Sequence, residues 1–166
     1  MRNQRMEQSM RGKFPSLVIV ALIAVLALAT MAAAEDGTKC REVSGTIAAN
    51  LTSGSTAQGT VTGGLQGSVT ASFTTTPQAG GSIALSLHHI FVTENGDTLT
   101  TQDTGLLVPV SDSPGVYRMT VQYTITGGTG KFAEATGGLV NHGEAVLNST
   151  PAQLTLRYGG HVCTAR

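Results

Sequence analysis

Four histidines and three tyrosines are the side chains of this chain best equipped for proton transfer or polar contacts with a ligand. His88 and His89 are adjacent, so in an extended strand they point to opposite faces and cannot chelate one metal together. His89 falls on the same row as Leu87 and Phe91. A histidine there is either a hydrogen-bonded core residue or a polar anchor or general base inside a cavity. Tyr117, Tyr123 and Tyr158 also fall on apolar rows, where the ring packs and the hydroxyl takes a partner from the protein or from a ligand. His89, Tyr117, Tyr123 and Tyr158 are therefore the cavity candidates. His142, Glu144 and His161 share a polar row, and imidazole with carboxylate suits zinc. His142 and His161 are offset, however, and Arg157 brings a positive charge among them, so no metal is assigned and no cofactor is implied. No Ser-His-Asp or Cys-His arrangement stands out, and no cluster of inward acids is visible.

Gly127-Gly128-Thr129-Gly130-Lys131 invites comparison with a phosphate-binding loop. The pattern fails at both ends, because Ile125 stands where the first glycine is needed and Phe132 where Ser or Thr is needed. No amphipathic helix follows to offer its N-terminus. Gly127, Gly128 and Gly130 are instead read as a tight turn or bulge, with Phe132 capping the end of the core.

The elements that hold these residues show alternation at period two and no helical stripe. Leu65 to Phe73, Ile83 to Phe91, Tyr117 to Ile125, Leu139 to Leu147 and Leu154 to Val162 each place apolar residues on one face. Val43 to Ala49 and Leu99 to Val108 read as further strands. Between them stand Gly, Pro, Asn and Asp clusters, of which Asn95-Gly96 is the strongest hairpin signal, and Pro109 marks a strand end. The fold class is all-β, and a closed antiparallel barrel of about eight strands is preferred to a sandwich. Pairing Leu147 with Leu154 across the turn near Asn148 to Pro151 would set Glu144 opposite Arg157 and His142 opposite Gly159.

Cys40 and Cys163 help to choose the barrel. Cys40 shares parity with Glu42 and Ser44, and Cys163 with Arg157 and His161, so both lie on polar rows of the first and last strands. They can bond if those strands are neighbours, which closure achieves while removing exposed edges. Such a bond would contribute roughly 4–5 kcal/mol by loop-closure entropy. Two free thiols are the alternative. The expected compartment favours the bond, because Met1 to Lys13 is basic, Leu17 to Ala29 is apolar and Met31 to Ala34 is small-residue sequence. That is the form of a secretory leader over 1–34, whose apolar run is too short to span a bilayer, with an uncleaved anchor as the other reading. The domain is then 35–166, secreted or periplasmic. It carries six Lys and Arg against nine Asp and Glu, a net charge of −3. Sparse, weakly acidic charge argues against nucleic acid as a partner, and no membrane span is expected in the mature chain.

With these residues placed, the chain resembles the allene oxide cyclase and dirigent-like barrel superfamily. The run Ile125-Thr126-Gly127-Gly128-Thr129-Gly130, then Phe132 and Gly137, matches its glycine signature. Asp103-Thr104-Gly105-Leu106, Pro114-Gly115-Val116-Tyr117 and Leu139 to Leu147 look like a branch of secreted bacterial proteins with the same barrel. The similarity covers Leu99 to Gly143. It implies an eight-stranded antiparallel barrel with an apolar cavity, often in dimers or trimers. Members close a fatty-acid epoxide or orient phenoxy radicals for coupling. The resemblance carries over the fold, and none of the family's functional residues is assigned here.

Three functions remain in view. The first is a barrel that binds a small apolar ligand or self-associates. The second is an enzyme of cyclase or isomerase type using His89 and Tyr123 in a cavity. The third is a cell-surface structural module. A filled core would remove both cavity readings; an open cavity lined by His89 and a tyrosine would favour a ligand or substrate.

Overall fold

A computed structural model describes residues 37–165; the expected leader and its cleavage point lie outside the described residues. Eight strands form one closed up-and-down barrel. They are β1 Thr38–Ser53, β2 Thr56–Val61, β3 Gly67–Pro77, β4 Ile83–Thr93, β5 Thr98–Pro109, β6 Val116–Gly128, β7 Thr136–Val146 and β8 Gln153–Ala165. Each pairs antiparallel with its sequence neighbour, and β8 closes on β1. The Cys40–Cys163 disulfide lies at that seam, where the two cysteines are direct register partners. No helix among the described residues is long and apolar enough to cross a membrane.

The alternating rows resolve as inner and outer faces. Leu85, Leu87, His89 and Phe91 of β4 are buried, as are Met119, Val121, Tyr123 and Ile125 of β6. Two details differ from expectation. β2 carries only Ala57 and Val61 as buried apolar residues, too few to stand out in the sequence. Leu65 lies just before β3, in a 3-10 turn at Gly63–Leu65, and is fully buried.

The β7–β8 register is shifted by two from the expected one. Ala145 faces Leu154, Glu144 faces Thr155, and Arg157 faces His142. Glu144 and Arg157 share the outer face but are not cross-strand partners, and no ion pair joins them among the described residues. The turn between β7 and β8 is longer than expected and takes in Leu147, which donates its N–H to the Gly115 carbonyl at 2.8 Å, one step past the Val116–Val146 pair.

The connections divide into two ends. At one end, the 3-10 turns Gly63–Leu65 and Gly130–Phe132 fold across the barrel and insert Leu65 and Phe132. These two pack in the core with Phe91, Leu99 and Val162, all fully buried. Tyr158 fixes the first plug: its hydroxyl donates to the Thr62 carbonyl at 2.8 Å and accepts from the Leu65 N–H at 3.0 Å. Gly45 makes room for this, since a Cβ there would lie 1.9 Å from the Thr62 oxygen. The second plug is the glycine turn. Thr126 is the extra residue of a bulge, because Thr100 pairs with Gly127 and Thr101 with Ile125. Gly130 has φ +56, and a Cβ there would lie 1.8 Å from Asp97 Oδ1. At the other end, the turns after β1, β3, β5 and β7 carry no such plug, and Phe73, Ile83, Leu147 and Leu154 are only half-buried.

Candidate functional site

The unplugged half of the barrel holds a cavity of about 230 Å³. Its existence follows from side-chain size. Ala49 of β1, Ala57 of β2 and Ala71 of β3 line one wall, and Ala57, Ala71 and His89 stand side by side across three strands. Leu85 and Leu87 of β4, Leu107 of β5, Met119 of β6 and Leu156 of β8 line the rest of it. Leu51, Phe73, Ile83, Leu147 and Leu154 form the rim. Three alanines cannot fill a cross-section that phenylalanines and leucines fill at the other end.

His89 and Tyr123 also line the cavity, and behind them lies a buried polar network. His89 Nδ1 is 2.6 Å from Asp103 Oδ2, which also accepts from Thr101 Oγ1 at 2.8 Å. Asp103 is 2% exposed and Thr101 fully buried. With the carboxylate ionised, Nδ1 must carry the hydrogen of this bond, and in the neutral ring Nε2 then holds the lone pair. Nε2 makes no hydrogen bond among the described residues and is not sealed from the space that His89 lines. Asp103 Oδ1 is the one sealed side-chain polar atom without a partner among the described residues.

Tyr123 is held from the other side. Asn141 Oδ1 accepts the Val121 N–H at 3.0 Å, which turns Asn141 Nδ2 toward the Tyr123 hydroxyl, and a short hydrogen bond joins them. The hydroxyl is therefore an acceptor from Asn141, and its own hydrogen has no acceptor among the described residues. Burial holds the Tyr123 phenol well above the usual tyrosine range; the Asp103 charge adds to this and the Asn141 bond works against it. The His89 and Tyr123 rings lie 4.9 Å apart, and Phe91 packs against both.

Of the four candidates, His89 and Tyr123 come together in the cavity. Tyr158 is the anchor of the opposite end, its phenol raised by burial, with the Leu65 N–H and Arg41 working the other way. Tyr117 is half-buried near the unplugged end and packs against the edge of the core, outside the cavity lining. Gly127, Gly128, Gly130 and Phe132 belong to the plug. His142 faces Arg157 and His161 faces Gly138, both on the outer face.

No cluster of inward acids was expected, and the structure places one inward acid, Asp103, with Thr101 and Asn141 also buried. Parity carried the signal. Leu99, Thr101, Asp103, Gly105 and Leu107 form one row, and its apolar ends place its polar middle inside. Asn141 likewise sits between Leu139 and Ala145 on the inner row of β7.

No protein-family model and no curated protein matches the chain. Among solved structures, the chain is similar to a pterocarpan synthase dirigent protein at 16% identity, over 78% of this chain and 91% of that one, with a TM-score of 0.28. A likeness that loose transfers no residue roles.

Proposed function

We propose that this protein binds a small, mainly apolar molecule in the barrel cavity, with His89 and Tyr123 meeting its polar group. The observation that carries the reading is the cavity itself: hydrocarbon walls, half-buried rim residues, and one polar end. An apolar cavity of about 150 Å³ stays dry and takes benzene. About 230 Å³ therefore suits a one- or two-ring molecule. Export to an oxidising compartment is part of the proposal, supported by the Cys40–Cys163 bond across the barrel seam. Self-association has less support. The exposed large apolar residues, Ile90, Val92, Leu106, Val108 and Val140, are dispersed over β4, β5 and β7 among threonines.

Indane, a compact bicyclic hydrocarbon, tests this reading. It should raise the melting temperature of the wild-type protein in proportion to its occupancy. Ala71→Leu, which fills the space beside His89, should abolish that rise without lowering the stability of the free protein. No rise in the wild type at saturating indane would refute the reading.

A second reading is an enzyme of cyclase or isomerase type. It is favoured by one observation, a histidine oriented by a buried carboxylate at the end of a cavity.

A further inference from the structure

Four features converge at the inner end of the cavity. His89 Nε2 makes no hydrogen bond among the described residues and, in the neutral ring that donates through Nδ1, holds a free lone pair. Asp103 holds the other ring nitrogen at 2.6 Å and supplies a negative charge to any positive charge formed on that ring. The Tyr123 hydroxyl, pinned by Asn141, has a hydrogen with no acceptor among the described residues. The two rings are in contact, 4.9 Å between centroids. A base and a hydrogen-bond donor side by side in a hydrocarbon-walled space match one ligand chemistry closely: a carbonyl group with a hydrogen on the adjacent carbon. The carbonyl oxygen takes the Tyr123 hydrogen bond, and the adjacent C–H faces Nε2.

We infer that the site is a proton-transfer centre for small enolisable ketones; the inference rests on the cavity reading above. Nε2 removes the proton from the α-carbon, so the C–H bond breaks and its electron pair forms a carbon–carbon double bond. The carbonyl π pair moves to oxygen, where the Tyr123 hydroxyl stabilises the enolate. His89 is then an imidazolium neutralised by Asp103. The imidazolium either trades its Nε2 hydrogen with solvent and delivers the new one to the same carbon, giving exchange, or passes the proton to a conjugated carbon, giving a shifted double bond. No oxidant, reductant or second substrate is consumed. His89 and Tyr123 are the catalytic residues and Asp103 the positioning residue. The apolar walls hold the ring system and keep the charge pair strong.

The test uses 1-indanone in D2O, with loss of its α-proton signal followed by NMR and binding followed by amide shift changes in the protein. Wild type should exchange the α-protons at least ~100-fold faster than His89→Gln at equal occupancy. Asp103→Asn keeps one oxygen for His89 and Thr101 but removes the charge. It should bind 1-indanone as well as wild type does while exchanging it at least ~10-fold more slowly. A purely structural Asp103 would not produce that split. Tyr123→Phe should fall between the two. If His89→Gln fails to fold, the near-isosteric Asp103→Asn and Tyr123→Phe carry the comparison. If wild type binds both indane and 1-indanone yet exchanges the ketone no faster than these variants, the proton-transfer inference is overturned and the cavity reading stands. If neither compound binds, the cavity reading fails and takes the inference with it.

Discussion

The two ends of this barrel are built from the same strands and serve opposite purposes. At the plugged end, Leu65 and Phe132 are carried across the opening by 3-10 turns and packed on Phe91, Leu99 and Val162 with no exposed surface. At the open end, the turns stop at the rim, and Ala49, Ala57 and Ala71 leave the space beside Leu85 and Leu87 unfilled. The difference lies in residue size and in two glycine-bearing turns, since the same eight strands build both halves. Stability is concentrated where the core is full, and a site is left where it is not. The polar residues lie between the halves: His89, Asp103 and Tyr123 separate Phe91, Leu99 and Ile125 from the cavity's hydrocarbon walls.

The largest test of that contrast is a matched pair of truncations. Phe132→Ala should cost ~3–5 kcal/mol in chemical denaturation, because it removes a plug and leaves a void in a filled core. Phe73→Ala, the same change at the half-buried rim, should cost ~1 kcal/mol, since it only widens an existing opening. Equal costs would erase the distinction between the ends.

Tyr158→Phe is the next effect. It keeps the ring and removes the bonds to Thr62 and Leu65, leaving the buried Leu65 N–H and the part-buried Thr62 carbonyl without that partner. A loss of ~1–3 kcal/mol is expected. Hydrogen exchange at the Leu65 amide should accelerate, while amides around the cavity stay protected.

A smaller effect comes from Tyr123 and depends on pH. Its folded-state pKa lies above the ordinary value of 10.0, so the fold favours the neutral phenol. Its contribution to stability is complete below that value and is lost as pH rises beyond it, because the unfolded chain ionises first. The slope should approach about 1.4 kcal/mol per pH unit for this one group. Tyr123→Phe should flatten the decline above pH 10.0 measurably, with Tyr158 leaving a weaker residual of the same sign.

The glycine-turn plug was far more legible in the sequence than the cavity, whereas the Leu65 plug reads as the first residue of the β3 row. Gly127, Gly128 and Gly130 announce a backbone that only glycine adopts cheaply, and Phe132 follows them at once. The seam was readable too, because Cys40 and Cys163 lie at opposite ends of the chain and on matching rows. A cavity is harder to read, since it is defined by volume that neighbouring strands do not supply. Ala57 and Ala71 are ordinary strand residues until β2, β3 and β4 are put in register beside His89. Asp103 was hidden by its composition: an acid in a Thr-rich strand reads as surface, and only its parity with Leu99 and Leu107 places it inside. Register itself escaped at β7–β8, where the Leu147–Gly115 hydrogen bond joins two turns remote in sequence.

The most direct measurement is a crystal of the protein pressurised with xenon, which enters dry apolar cavities and little else. Xenon density should appear in the open half, between Ala71, Leu87 and His89, and none should appear around Leu65 and Phe132. Side chains filling the open half, or xenon distributed equally between the two ends, would contradict the account.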